Sequence, residues 1–210
     1  MKILLVSATY AEIQPLMETL SLRIGSNRFR SHDVFVLITG VGMVATAYIL
    51  GRTLSTNQFD LAINAGIAGS FDTEISLGQV VSVGEDCFSE LGAEDDEHFL
   101  TIDSLGFGES RIVPVDFDRT VEHFKTVKAI TVNKVHGNAG TIEKTISQWS
   151  PDIESMEGAA FFYSCNDVNL PSIQLRGISN YVEKRNREGW NIRLAVKNLN
   201  EALINLISVL

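Results

Sequence analysis

Two carboxylates and one amide lie where predicted strands end, and these are the side chains that could do chemistry. Glu12 follows the apolar run at residues 3–6, at the start of a predicted helix. Glu157 lies between a strand-like segment and another predicted helix, and Asn180 follows the apolar run at residues 172–178. Open α/β sheets bind ligands outside the carboxyl ends of their strands. The sequence therefore predicts that the three side chains line one pocket.

Each of these residues also has a structural explanation that the sequence leaves open. A glutamate in the first turn of a helix complements the helix dipole, which would account for Glu12 or Glu157 alone. Arg176 is predicted at the same strand end as Asn180. Three chemically capable residues at one topological position nevertheless favour a functional site over unrelated structural roles.

Two glycine-containing segments are predicted to form turns beside this pocket. Residues 40–45 read Gly-Val-Gly-Met-Val-Ala between a strand and a helix, which has the form of a dinucleotide-binding turn. The acidic residue that such a site needs at the end of the next strand is absent, since Asp60 stands at the start of its strand. Residues 64–69 predict a second glycine turn. Glycines at such turns let a ligand approach backbone N–H groups, although a plain tight turn is the alternative.

Alternating strands and helices must position these residues. Apolar runs predict strands at residues 3–6, 34–39, 61–65, 80–83, 129–132, 152–156 and 172–178, and helical spacing predicts helices at 11–22, 43–54, 158–164 and 190–209. Near-continuous apolar strands indicate a central sheet covered on both faces. The pattern predicts one α/β domain over residues 1–210 with a parallel or mixed sheet. Residues 89–108, which include an acidic run, are predicted to form a solvated loop.

Composition and motif content exclude several classes of function. The 210 residues include 17 Lys and Arg against 26 Asp and Glu, a formal net charge of −9 without a basic stripe. This balance argues against nucleic acid and favours a small-molecule ligand. No run approaches the roughly 20 apolar residues of a membrane span, and the N-terminus does not read as a signal peptide, so we expect a cytoplasmic protein with no membrane partner. The four histidines and two cysteines lack metal-site spacing, so no metal is expected.

Six segments together resemble the nucleoside phosphorylase / methylthioadenosine nucleosidase family. In chain order they are residues 11–12, 40–47, 64–69, 78–81, 155–160 and 176–180. Within that family, residues 156–160, 176–183 and 185–190 look most like the futalosine hydrolases, which remove hypoxanthine from futalosine in menaquinone biosynthesis. The resemblance implies a three-layer α/β/α fold around a mixed, partly closed sheet. It also implies that the protein uses no cofactor and forms homodimers or larger homo-oligomers.

The resemblance further implies roles for individual residues. Glu12 looks like the base that activates water, Glu157 like the carboxylate that binds the ribose hydroxyls, and Met156 like the apolar wall under the sugar. Asn180 stands where methylthioadenosine nucleosidases carry aspartate, and Arg176 looks like a partner that orients this segment. Substrate contacts are also expected at Gly42, Ala65 and Gly66. Residues 135–141 lack the phenylalanine that stacks on the base in the nucleosidases.

Cleavage of an N-ribosidic bond fits these residue types. The reaction develops positive charge on the sugar and negative charge on the purine, so it needs carboxylates near the sugar and a hydrogen bond to the base. The amide of Asn180 can accept from a protonated N7 and donate to O6, which predicts a 6-oxopurine such as hypoxanthine. The alternatives are a methylthioadenosine/adenosylhomocysteine nucleosidase, a purine nucleoside phosphorylase and a nucleoside-binding protein without catalysis. A phosphorylase needs cationic donors, and residues 40–47 contain none.

Overall fold

The computed structural model describes residues 1–117 and 123–210. The strands are β1 (Lys2–Ser7), β2 (Gly25–Phe29), β3 (His32–Ile38), β4 (Leu61–Ser70), β5 (Val80–Phe88), β6 (Gly92–Asp95), β7 (His98–Thr101), β8 (Arg111–Ile112), β9 (Lys125–Thr131), β10 (Ile153–Ser155) and β11 (Ser172–Tyr181). The helices are α1 (Tyr10–Thr19), α2 (Met43–Leu54), α3 (Ala139–Trp149), α4 (Gly158–Asp167) and α5 (Ile192–Val209). In these two ranges no helix is long and apolar enough to cross a bilayer.

The central sheet is mixed and partly closed, as the resemblance implied. Strands β4, β11, β5, β9 and β10 pair in that order, and β10 pairs again with β4, so these five strands form a ring. Strands β1, β3 and β2 extend the sheet from the edge of β4 that faces away from β11. Because β3, β1, β4 and β11 run parallel, the carboxyl ends of these strands meet at one edge of the sheet.

Helices cover the sheet on both faces, which confirms the predicted three-layer α/β/α arrangement. Alternate side chains of β1 belong to different cores, as strand geometry requires. Leu5 packs with side chains from α1 and α5, whereas Leu4 packs with side chains from α2 and α4. Both leucines are fully buried. The near-continuous apolar strands in the sequence reflect this burial on both faces.

Three sequence predictions about local structure were wrong. Residues 64–69 form no turn, because they continue β4, which pairs with β11 along its length and with β10 at its end. Arg176 does not lie at a strand end, because β11 runs on to Tyr181. Residues 89–108 are not entirely loop, since β6 and β7 form an antiparallel hairpin within them. Its first strand is fully exposed, which explains why the segment lacks a strand's apolar pattern.

Candidate active site

A cavity of about 390 Å3 lies where β1, β4, β10 and β11 end. The carboxylates of Glu12, Glu154 and Glu157 and the amide of Asn180 are among its lining groups. The remaining wall is largely apolar and includes Ala8, Val41, Ile67, Val135, Met156, Trp190 and Ile192. Convergence of a few polar groups in an apolar cavity is typical of a small-molecule site.

Glu12 is held in one orientation by donors from two strands and from its own helix. Its Oε2 accepts from the Thr9 N–H (3.0 Å), the Thr9 hydroxyl (2.8 Å) and the Ser7 hydroxyl (3.3 Å). With Thr9 it forms the capping box of α1, which satisfies backbone N–H groups at the start of that helix. Within the described part of the chain its Oε1 accepts only from the Ile67 N–H (3.1 Å), which leaves this oxygen a lone pair for a ligand.

Glu157 is the N-cap residue of α4, and its side chain is almost completely buried. Its Oε1 accepts from the Gly42 N–H at 3.0 Å, and its Oε2 lies 3.9 Å from Nη1 of Arg176. Gly42 has a φ of +97°, a backbone conformation that favours glycine, so the predicted glycine turn does exist here. The structure gives the Gly42 N–H a protein partner, the carboxylate of Glu157.

Arg176 lies beneath the cavity rather than at its edge. Its side chain is 1% exposed and donates to Gln174 and Asn64. A Cβ on Gly66 would overlap Nη1 of Arg176 and come within 3.0 Å of Oε1 of Glu12. The glycine in β4 therefore leaves room for the guanidinium beside Glu12, the predicted base, and Glu157, the predicted ribose ligand.

Asn180 and Met156 line the cavity, whereas Ala65 does not lie there. The Asn180 Oδ1 accepts from the Ser179 hydroxyl (2.8 Å), and its Nδ2 donates to the Tyr181 carbonyl (3.0 Å). Each amide atom is left with one further lone pair or N–H for a ligand. Ala65 is fully buried in the core formed with α1 and α5, because neighbouring residues of a strand face opposite sides.

The sequence analysis missed a second buried carboxylate at the cavity. Glu154 on β10 accepts from the backbone N–H of His136 (3.0 Å) and faces its Nδ1 at 2.6 Å. The Nε2 of His136 lies 2.9 Å from the Thr145 hydroxyl, which connects this loop to α3. The position of Glu154 inside the strand predicted at residues 152–156 was a usable signal, whereas its partner His136, distant in the sequence, could not be predicted. In the described ranges no cluster of His, Cys, Asp and Glu side chains could hold a metal ion.

Two curated futalosine hydrolases are similar to this chain. The protein from Thermus thermophilus is 28% identical over 180 residues, which cover 82% of this chain and 80% of that protein. The Streptomyces coelicolor protein is 29% identical over 83% of this chain and 79% of its own length. A 5′-methylthioadenosine/S-adenosylhomocysteine nucleosidase from Buchnera aphidicola is 21% identical over 99% of this chain and 96% of its own.

Solved structures share the fold over the whole chain. The native futalosine hydrolase of Helicobacter pylori superimposes with a TM-score of 0.83 at 14% identity, covering 100% of this chain and 98% of that one. The methylthioadenosine/adenosylhomocysteine nucleosidase of the same organism, with butyl-thio-DADMe-Immucillin-A, gives a TM-score of 0.86 at 15% identity and the same coverage. The family model for the phosphorylase superfamily matches residues 4–210. The chain therefore belongs to the phosphorylase superfamily.

Proposed function

We propose that this protein hydrolyses the N-ribosidic bond of futalosine and releases hypoxanthine. The observation that carries the proposal is a cavity with carboxylates and an amide but, among the residues that the structure describes, no Lys or Arg in its lining. Two curated relatives of similar length are futalosine hydrolases, which supports this substrate. As parts of the same proposal, the protein acts in the cytoplasm, in menaquinone biosynthesis, as a homodimer or larger homo-oligomer.

Glu12 is the proposed general base. Its Oε1 retains the lone pair with which a carboxylate can hold a water molecule and take its proton as the water attacks the sugar carbon. A positioned base of this kind contributes roughly 10²- to 10⁴-fold in rate. Glu157 is the proposed partner of the ribose hydroxyls, and its negative charge stabilises the positive charge that develops on the sugar.

Asn180 is the proposed contact to the base. The free lone pair on Oδ1 accepts from N7 when N7 carries a proton, and the free N–H on Nδ2 donates to O6 of hypoxanthine. Adenine carries an amino group in place of O6, so two donors would face each other. A mismatch between buried polar groups of this kind discriminates strongly between substrates.

Water rather than phosphate is the proposed nucleophile. A phosphate ion in the cavity would face Glu12, Glu154 and Glu157. The buried guanidinium of Arg176 is already bonded to Gln174 and Asn64. Like charges at close range repel, and none of the described lining residues is a cation that would compensate beside these carboxylates.

The outer wall of the cavity supports a substrate with an anionic tail. Trp190 lines the cavity, and the guanidinium carbons of Arg185 and Arg187 lie 5.3 and 6.0 Å from the centre of its ring. Both arginines are exposed, so they can approach a carboxylate without losing hydration first. We place the benzoate end of futalosine at this wall, whereas methylthioadenosine has no group that these cations would bind.

Side-by-side incubation with futalosine, inosine and methylthioadenosine, with and without phosphate, tests the proposal. We expect release of hypoxanthine from futalosine, no cleavage of methylthioadenosine, and no effect of phosphate. Preferential cleavage of methylthioadenosine would instead support the second candidate, a methylthioadenosine/adenosylhomocysteine nucleosidase, which the full-length match to the Buchnera aphidicola protein favours. A product carrying ribose 1-phosphate would identify a phosphorylase.

A further inference from the structure

A chain of buried polar side chains crosses the sheet beneath the cavity. Asp86 on β5 and Gln174 on β11 are fully buried, and Arg176 on β11 is 1% exposed. Burying a carboxylate and a guanidinium in the middle of a sheet is unfavourable unless both are paired and hydrogen-bonded. The arrangement therefore calls for a physical explanation beyond packing.

The hydrogen bonds of this chain have a fixed direction. Nε of Arg176 donates to Oε1 of Gln174 at 2.8 Å, and Nε2 of Gln174 donates to Oδ2 of Asp86 at 3.1 Å. A guanidinium has only donors and an ionised carboxylate has only acceptors. The amide of Gln174 must therefore turn its oxygen towards Arg176 and its nitrogen towards Asp86. A carboxylate at position 86 thus determines which way the amide faces.

The guanidinium of Arg176 is consequently held at two of its three nitrogens. Gln174 binds Nε, and Oδ1 of Asn64 accepts from Nη2 at 2.5 Å. The third nitrogen, Nη1, lies against Gly66 and 3.9 Å from Oε2 of Glu157. Because a guanidinium is planar and rigid, fixing two nitrogens also fixes the direction of the third.

The same carboxylate is connected to the helix that carries Glu157. Oδ1 of Asp86 accepts from the Thr131 hydroxyl at 2.9 Å, and the oxygen of that hydroxyl accepts from the Ala159 N–H at 2.7 Å. A Cβ on Gly158 would overlap both Asp86 and Gln174, so glycine is needed where α4 begins. Asp86 is therefore linked to both supports of Glu157, to the guanidinium through Gln174 and to the first turn of α4 through Thr131.

We propose that Asp86 is a positioning residue for the reaction, which acts through Gln174 to direct Nη1 of Arg176 at the catalytic carboxylates. This inference rests on the proposed function, because it concerns the same site. Asp86 is not among the described residues that line the cavity, so any effect on the reaction must pass through the side chains that it holds. Without the carboxylate, Nε2 of Gln174 loses its ionised acceptor, so the amide that holds Nε of Arg176 is less firmly fixed.

Asp86→Asn tests the proposal with little change of volume. We expect kcat on the nucleoside that the wild type cleaves to fall about 10- to 100-fold, the effect of losing a hydrogen bond to a charged group. KM should stay within about twofold, because the apolar wall and the base contact are intact. Ser172→Ala is the control, since Ser172 is buried on β11, the strand of Gln174 and Arg176, and its hydroxyl has no partner among the described residues.

A double-mutant cycle with Arg176→Lys separates positioning from general destabilisation. Lysine has no Nε donor for Gln174, so Asp86→Asn should lower kcat in the wild type but hardly further in the Arg176→Lys background. Equal effects of Asp86→Asn in both backgrounds, or a loss of activity that merely follows the loss of folded protein, would overturn the proposal.

The side-chain ¹⁵N spectrum gives a second measurement that does not depend on activity. The Nε–H signal of Arg176, assigned by its absence from Arg176→Lys, should exchange slowly in the wild type and faster in Asp86→Asn. An unchanged signal would overturn the proposal even if futalosine is cleaved. Failure to cleave any nucleoside would overturn the proposed function alone and leave this measurement to decide the role of Asp86.

Discussion

Replacing Asp86 by asparagine is expected to change how the stability of the protein depends on pH. Burial raises the pKa of the Asp86 carboxyl from 3.8 to about 6, despite opposing contributions from Gln174, Thr131 and Arg176. The folded protein therefore binds the proton more tightly than the unfolded chain does. This contribution to stability is present below pH 4 and is lost as the pH rises through 6.

The size of the effect follows from the two pKa values. A rise from 3.8 to about 6 corresponds to about 3 kcal/mol between the protonated and ionised limits. Asparagine does not titrate, so the free energy of unfolding of Asp86→Asn, relative to that of the wild type, should increase by about this amount between pH 4 and pH 7. The missing acceptor lowers the stability of the variant by an amount that does not depend on pH, so it cancels in this comparison.

Urea unfolding of both proteins at several pH values between 4 and 7 measures the difference. Subtracting the unfolding free energy of one protein from that of the other at each pH removes the contributions of the other carboxylates, which titrate in both proteins. Ser172→Ala, a buried change on β11 without a titrating group, should show a constant difference from the wild type. A constant difference for Asp86→Asn as well would refute the reasoning, because the carboxyl would then have the same pKa in the folded and unfolded states.

Four substitutions test the site itself by steady-state kinetics on folded protein. Glu12→Gln should lower kcat by roughly 10²- to 10⁴-fold with little change in KM, and near-normal turnover would exclude Glu12 as the base. Gly66→Ala should lower kcat by about 10²-fold, because the added Cβ would displace Arg176, and full activity would contradict the described packing. Asn180→Asp should lose at least about 10²-fold in kcat/KM on futalosine. If this variant cleaves futalosine and methylthioadenosine in the same ratio as the wild type, Asn180 does not select the base. Arg187→Glu should raise KM for futalosine about tenfold but leave KM for inosine unchanged. Arg28→Glu on β2 makes the same change of charge and should raise neither KM. Equal effects of Arg187→Glu on both substrates would contradict the proposed contact to the benzoate.

Much of the fold could be predicted because most strands are apolar on both faces. The predicted helix at residues 43–54 matches α2, and residues 3–6 lie within β1. Strand β2 was missed because its residues, Gly-Ser-Asn-Arg-Phe, have no apolar run and lie at the edge of the sheet. Helix α3 was missed because it buries only Trp149 among its eleven residues. Elements with little buried surface carry little hydrophobic pattern, and a single sequence then gives no signal for them.

The errors at residues 64–69 and at Arg176 have one cause. Glycine often marks a turn, and arginine is rarely buried inside a strand. Here Gly66 and Arg176 are opposite each other in the parallel pair of β4 and β11, so the absent side chain of one makes room for the guanidinium of the other. Each residue is unfavourable alone and compatible with a strand only in the presence of its partner. A pattern that considers one segment at a time cannot predict such a pair.

The charges around the cavity also explain why the proposed reaction needs a buried arginine. Glu12, Glu154 and Glu157 together give the cavity the negative charge that suits a positively charged sugar and repels phosphate. Carboxylates that line one cavity also repel one another, and a cation exposed among them would allow phosphate to bind there. Arg176 lowers this repulsion from beneath, where its nitrogens are bonded to Gln174 and Asn64. Placing the cation under the site rather than in it therefore favours water as the nucleophile while keeping the two catalytic carboxylates together.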